Sequence, residues 1–127
     1  MNDDLIKLVI KMCAKAYAPY SKYKVGSAVE VNTGEIIGGC NIESSSYGLT
    51  CCAERVALYS AISEGHGNFK SMAISTENGG MPCGACRQVI WDLCNDIKIY
   101  ICNGKELLRT INSSDLLPDA FDDSILK

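Results

Sequence analysis

Leu5, Leu8, Val9, Met12 and Ala16 recur at intervals close to a helical turn, with Lys7, Lys11 and Lys15 between them. That spacing predicts an amphipathic helix over 3–17. Asp3 and Asp4 suit its positive N-terminal end, and Pro19 is expected to close it. From Val25 to Val31 small and β-branched residues dominate, as in a buried strand. Asn32-Thr33-Gly34 is a turn, and 35–40 is predicted to return as the second strand of a hairpin. A Ser- and Gly-bearing loop follows over 41–50. Segment 52–64 places Val56, Ala57, Ser60 and Ala61 on one helical face and meets a stop signal at Gly65. Segment 69–76 reads as a strand, broken by Asn78-Gly79-Gly80. A helix over 84–94 follows Pro82. Strands are expected over 97–102 and 106–111, joined at Asn103-Gly104. The tail 112–127 is polar apart from Leu116-Leu117-Pro118 and Phe121.

The order is α-ββ-α-β-α-ββ-tail, without repeats or linkers. Strands alternating with crossover helices predict an α/β protein: a three-layer α/β/α sandwich around a mixed five-stranded sheet. Residues 1–127 are expected to form a single domain.

Composition narrows the function. Fifteen acids against 12 Lys and Arg give a net charge of −3, which argues against holding nucleic acid by its phosphates. No segment approaches the roughly 18–20 apolar residues of a membrane span. His66 is the only histidine, so no site of two or three histidines forms within one chain, and a Ser-His-Asp triad would rest on His66 alone. His66 follows Gly65 and reads as a solvent-facing or capping residue. Eight Cys fit either a secreted disulfide framework or a reducing compartment where thiols bind metal or react. The start MNDDLIKLVIK has no basic region and no uninterrupted apolar stretch. Reduced thiols and a cytoplasmic location are therefore expected. Cys13, Cys40, Cys51, Cys94 and Cys102 read as small buried hydrophobes.

The chemistry gathers at the start of two helices. One bears Cys52-Ala53-Glu54-Arg55; the other follows Pro82-Cys83-Gly84-Ala85-Cys86-Arg87. Roughly thirty residues separate them, about one crossover of helix, strand and turn, so both helix N-termini can meet at one end of a sheet. Three thiolates there gain from free amides and the helix dipole. A three-Cys set leaves one tetrahedral position open, as catalytic rather than structural zinc sites do. Zinc brings a water's pKa to about 7, and Glu54 is placed to shuttle the released proton. Arg55 and Arg87 are the candidates to draw charge off the sulfurs, against a bland reading as surface salt bridges. A structural zinc site or a redox Cys-x-x-Cys is the rival reading of the thiols.

Cys-Ala-Glu-Arg followed by Pro-Cys-Gly-Ala-Cys-Arg-Gln resembles the zinc-dependent cytidine deaminases. Tyr20-Ser21, Val25-Gly26, Asn41-Ile42-Glu43, Tyr47-Gly48-Leu49 and Leu117-Pro118 with Phe121 extend the likeness to the small nucleoside-acting branch, over about 16–121. The resemblance implies one Zn2+ per subunit on Cys52, Cys83 and Cys86. It implies hydrolysis of cytidine and 2′-deoxycytidine to the uridine forms plus ammonia, in pyrimidine salvage. By the same resemblance, zinc would activate the water that attacks C4 of cytosine, Glu54 would move protons to N3 and the leaving ammonia, and the Ala53 amide would hold the base carbonyl. Asn41 and Glu43 resemble the pair that binds the ribose 3′-hydroxyl; the alternative is loop capping. Tyr23 stands where relatives usually have a Phe on the base, with ordinary core as its alternative. Ser45 and Tyr47 match a loop that reaches a neighbouring subunit's sugar, and Phe121 an aromatic lid from another subunit. Those roles imply a homotetramer with shared sites.

Met81 stands where Ser or Thr is common. Free nucleoside is expected over nucleotide or strand, because no basic cluster flags a phosphate and because nucleic-acid editors usually carry His-x-Glu rather than Cys-x-Glu. Deamination of another cytosine-bearing nucleoside, such as blasticidin S, is the alternative. A non-catalytic zinc module and a dithiol oxidoreductase are the rivals from other classes.

Overall fold

The computed structural model describes residues 3–126; Met1, Asn2 and Lys127, at the two ends of the expected domain, lie outside them. The elements run α1 (Asp3–Ala14), β1 (Gly26–Val31), β2 (Ile36–Cys40), α2 (Ala53–Ser63), β3 (Phe69–Ser75), α3 (Gly84–Cys94), β4 (Lys98–Cys102) and β5 (Leu107–Asn112). Short 3-10 turns cover Tyr47–Leu49, Ser113–Asp115 and Asp123–Leu126. The strands form one mixed sheet in the order β2-β1-β3-β4-β5. The pair β3–β4 is parallel and the other three pairs are antiparallel. This is the expected three-layer sandwich.

Strand alternation assigns each residue to a face. Ala28 of β1, Ala73 of β3 and Cys102 of β4 pack with Leu5 and Val9 of α1. Their neighbours Val29, Val31, Met72, Ile74, Ile99 and Ile101 face the other way, onto Ala57, Leu58 and Ala61 of α2 and Ile90 of α3. One helix therefore covers one face and two cover the other. β3 and β4 carry apolar residues on both faces, as strands buried on both sides must. β5 is an edge strand and mostly exposed.

Two close approaches depend on glycine. A Cβ on Gly39 of β2 would lie 2.5 Å from the Ala57 nitrogen and 2.8 Å from the Ala53 carbonyl oxygen. Only hydrogen lets the first turns of α2 lie that near the sheet. Gly26 of β1 makes the same allowance for the Val9 carbonyl and Cys13 backbone of α1.

The first helix is shorter than its hydrophobic pattern predicts. It ends at Ala14 rather than 17, before Pro19 can act. Tyr17 is drawn out to pair with Ile42, its N–H donating to the Asn41 carbonyl and its carbonyl accepting from Glu43 N–H, both at 2.9 Å. Three thiols also depart from expectation. Cys94 and Cys102 are buried, but Cys13, Cys40 and Cys51 are half-exposed. The Cys13 thiol donates to the Lys24 carbonyl and the Cys40 thiol to the Lys15 carbonyl, so they act as weak polar stitches. His66 caps the end of α2, as one of its two expected readings has it: its N–H donates to the Ala61 carbonyl at 3.0 Å, and its Nε2 lies 3.4 Å from the Glu35 carboxylate. No helix among the described residues is long and apolar enough to cross a membrane.

Candidate metal centre and active site

Cys52 and Cys83 both occupy the residue just before a helix. Their backbones are extended, φ −71° and ψ 152° at Cys52, φ −69° and ψ 169° at Cys83. Helices favour Ser, Thr, Asp or Asn there, because the side chain caps a free N–H. Neither thiol makes such a bond. Both sulfurs turn elsewhere: Cys52 and Cys83 Sγ lie 3.8 Å apart. With Cys86, one turn into α3 and fully buried, the three sulfurs lie within 4.8 Å of one another.

Charge is arranged around them. Arg55 Nη2 donates to Cys52 Sγ at 3.3 Å. Bonding from the Cys86 thiol and then from Arg55 brings Cys52 down to about 5. Cys86 is pushed up by sharing its proton with Cys52 and by burial. The donor set suits a zinc ion: soft sulfurs at close range, with a guanidinium to offset the excess negative charge.

Arg87 is engaged elsewhere. Nε donates to the Pro82 carbonyl at 2.8 Å and Nη1 to the Leu116 carbonyl at 3.1 Å. Its contacts brace the strand-to-helix loop against the tail; no contact between Arg87 and a sulfur is observed.

Beside the thiols lies a cavity of about 310 Å³. Tyr23, Asn41, Glu43, Cys52, Ala53, Glu54 and Cys83 line it, as expected from sequence, together with Ser21, Thr50, Thr76, Gly80 and Met81. Glu54 is 4% exposed, and burial raises its carboxyl to about 7, the range a general acid–base group needs. Ala53 opens α2, where the first backbone N–H groups have no partner inside the helix.

Asn41 and Glu43 are held before any ligand arrives. The Asn41 amide accepts from Val25 N–H and donates to the Tyr23 carbonyl, both at 2.9 Å. One N–H and one lone pair remain. The Glu43 carboxylate accepts from the N–H groups of Tyr20 and Ser21 and from the Ser21 hydroxyl. The hydroxyl above all holds the Glu43 carboxyl below its ordinary range. Both residues thus serve the loop, and each keeps polar capacity to spare.

Tyr23 also extends its hydroxyl, which donates to Asn78 Oδ1 at 2.7 Å. Asn78 and Thr76 carried no chemical signal in the sequence, where Asn78-Gly79-Gly80 reads only as a strand breaker. Ser45, Tyr47 and Phe121 are not among the residues lining this cavity. Tyr47 borders an adjoining one with Tyr20, edge to face at 6.2 Å, and is 76% exposed. Ser45 is exposed. Phe121 is 59% exposed, its carbonyl accepting from Gln88 Nε2 at 2.7 Å.

The fold does bring basic residues together, which the linear sequence hides. Lys22, Lys24 and Lys105 border a separate cavity with Glu77. None of them lines the cavity beside the thiols, whose lining contains no Lys or Arg.

The comparisons agree with this geometry. The family model for the cytidine and deoxycytidylate deaminase zinc-binding region matches residues 1–102. A cytidine deaminase of Halalkalibacterium halodurans is 47% identical over 120 residues, 92% of this chain and 91% of the relative. The crystal structure of a cytidine deaminase from Burkholderia pseudomallei superposes with a TM-score of 0.89 at 41% identity, covering 95% of this chain and all of that one. A blasticidin-S deaminase of Bacillus cereus is more remote, 34% identical over 109 residues. A buried carboxylate beside three clustered thiols, on this fold and with these relatives, places the chain in the cytidine and deoxycytidylate deaminase family.

Proposed function

We propose that the protein hydrolyses cytidine and 2′-deoxycytidine to uridine and 2′-deoxyuridine plus ammonia, as a step of pyrimidine salvage. The observation that carries this reading is the buried Glu54 carboxyl in the same cavity as Cys52 and Cys83. Cys52, Cys83 and Cys86 would hold one zinc ion per subunit, which when bound supplies the Lewis acidity that makes a water nucleophilic near neutral pH.

The chain's own groups do the rest. Glu54 accepts a proton from the attacking water and passes it to N3 of the base. It then takes the remaining proton of the hydroxyl group now on C4 and delivers it to the C4 amine; the C–N bond breaks, ammonia leaves and the C4 carbonyl forms. A carboxyl poised near 7 gives and takes protons with little penalty. The free Ala53 N–H is positioned to hold the C2 carbonyl of the base. Asn41 and Glu43 offer their spare donor and acceptor to a sugar hydroxyl, which would cost about 1–3 kcal/mol if buried unpaired. The absence of Lys and Arg from the cavity lining favours a free nucleoside over a nucleotide.

Ser45, Tyr47 and Phe121 are assigned to a neighbouring subunit's site in a homotetramer. Exposure of Tyr47, Leu49, Tyr59, Ile62 and Phe121 supports that assignment. The deciding experiment is an ultraviolet deamination assay on zinc-replete protein with cytidine, deoxycytidine, deoxycytidylate and blasticidin S in parallel. Rapid loss of the two nucleoside signals, with little change in the others, is expected. Turnover of blasticidin S alone would overturn the substrate assignment, and inactivity on all four would overturn the reading.

A further inference from the structure

The hydroxyl oxygen of Tyr23 has a place of its own in the cavity wall. Its donation to Asn78 Oδ1 at 2.7 Å is one link in a short chain. Thr76 Oγ1 lies 3.3 Å from the same Asn78 oxygen. Gly80 N–H donates to Thr76 Oγ1 at 2.7 Å. Thr76 is itself buried, its N–H directed at the Cys102 carbonyl of β4. The loop 76–83 is thereby fastened at both its sheet end and its middle, and it ends on Cys83.

Tyr23 is equally fixed from behind. Its N–H donates to Ser21 Oγ at 3.0 Å and its carbonyl accepts from Asn41. The ring therefore spans two walls of the cavity: the segment held by Asn41 and Glu43, and the loop that delivers a sulfur.

Gly80 records the same arrangement sterically. A Cβ there would lie 2.5 Å from the Tyr23 hydroxyl oxygen, while the next neighbours, Asn78 Oδ1 and Thr76 Oγ1, stand at 3.5 and 3.6 Å. Gly80 does not have the positive φ that Gly79 has, at 72°. The crowding is with the end of one side chain: a Cβ there would push the Tyr23 hydroxyl from its place.

We propose that the Tyr23 hydroxyl is a positioning group that ties the substrate cavity to the Cys83 loop, with Gly80 leaving the space that the hydroxyl occupies. The part concerning substrate rests on the deaminase reading; the part concerning the loop and Cys83 does not. Without the hydroxyl, the ring loses its fixed angle over the base and the loop loses its tie to the Tyr23 wall of the cavity.

The test uses the zinc-loaded protein in five forms: wild type, Tyr23→Phe, Gly80→Ala, the double variant of these two, and Asn78→Ala. Four quantities are read: kcat and KM for cytidine, the rate of zinc release to a chelator, and the thermal midpoint. Tyr23→Phe is expected to raise KM about five- to tenfold, the worth of one hydrogen bond, with kcat within about twofold, and to speed zinc release by a similar factor. Gly80→Ala, which forces the ring and loop apart, is expected to do more on both counts. Adding Tyr23→Phe to Gly80→Ala is expected to bring both quantities back to the Tyr23→Phe values. Should Gly80→Ala fail to fold, recovery of folded protein in the double variant supports the proposal in its place. Asn78→Ala is expected to reproduce Tyr23→Phe.

Equal damage from Gly80→Ala in both backgrounds overturns the proposal. So does a Tyr23→Phe protein that changes only in thermal midpoint, since that is the mark of an ordinary stabilising bond. If the wild type does not deaminate cytidine, the functional reading fails, while zinc release and the rescue still decide the role of the hydroxyl.

Discussion

Arg55 Nη2 lies 3.3 Å from Cys52 Sγ, three residues back along the same chain. The contact joins the first turn of α2 to the residue that precedes it, so sulfur and guanidinium move as one unit. Cys52 supports that guanidinium in return by holding its proton more firmly. Replacing Arg55 with Gln keeps a donor of similar reach and removes the charge. Zinc affinity or kcat/KM is expected to fall about 10–100-fold, the usual cost of losing a partner to a metal ligand. Chelator competition and steady-state kinetics on the same preparation check it.

Glu54 offers a cleaner separation of binding from chemistry. Glu54→Gln preserves volume and the first turn of α2 but cannot accept a proton. Turnover of cytidine is expected to fall by at least about 10²–10⁴-fold, the contribution of one general acid–base group. Zinc content by atomic absorption is expected to stay at the wild-type level. Retained turnover with full zinc would remove Glu54 from the mechanism.

The order in which thiols become reactive follows from burial. In zinc-loaded protein Cys52, Cys83 and Cys86 are expected to resist alkylation together. After chelation Cys83 is expected to label first, because it is exposed, and Cys86 last, because it is fully buried. Cys94, whose thiol burial pushes up to about 12, is expected to stay unlabelled at pH 8 while the fold holds. Peptide mass spectrometry over a chelation time course reads this sequence. Release of fewer than three thiols would contradict a three-sulfur site.

Glu43 supplies a pH dependence away from the metal. Its carboxyl is held below the ordinary range, first by the Ser21 hydroxyl and then by the backbone N–H of Ser21. A carboxyl depressed in the folded state adds stability that is present above its unfolded value and is lost as pH falls through the folded one. Ser21→Ala removes the largest cause. The Glu43 titration, followed by carboxyl-carbon NMR, is expected to move up toward the ordinary value. KM for cytidine is expected to begin rising at a higher pH than in the wild type. An unmoved titration would assign the depression to the backbone donors alone.

Much of this was legible in the sequence, for reasons that can be named. Periodicity and turn signals located all three helices and all five strands, because every element but the exposed edge strand β5 buries apolar residues against the sheet or within it. The meeting of Cys52 with Cys83 was legible because one crossover separates them. Other features were not. The early end of α1 depends on Tyr17 pairing with Ile42, a contact between segments that carry no pattern of their own. Arg87 looks equivalent to Arg55 when read by its distance from a cysteine. The two diverge because α3 turns Arg87 toward the Pro82 and Leu116 carbonyls. Asn78 and Thr76 were invisible because a hydrogen bond to a tyrosine 55 positions away leaves no local trace.

Gly39 bears on how such a protein can change. The Ala53 carbonyl, at the very start of the turn that presents Glu54, sits against a strand with room for a hydrogen atom and no more. The position of the Glu54 carboxyl is thus set by one backbone lying on another, and not by side chains that can be exchanged. A side chain larger than hydrogen at position 39 would have to lift the first turns of α2, and the carboxyl with them, off the sheet.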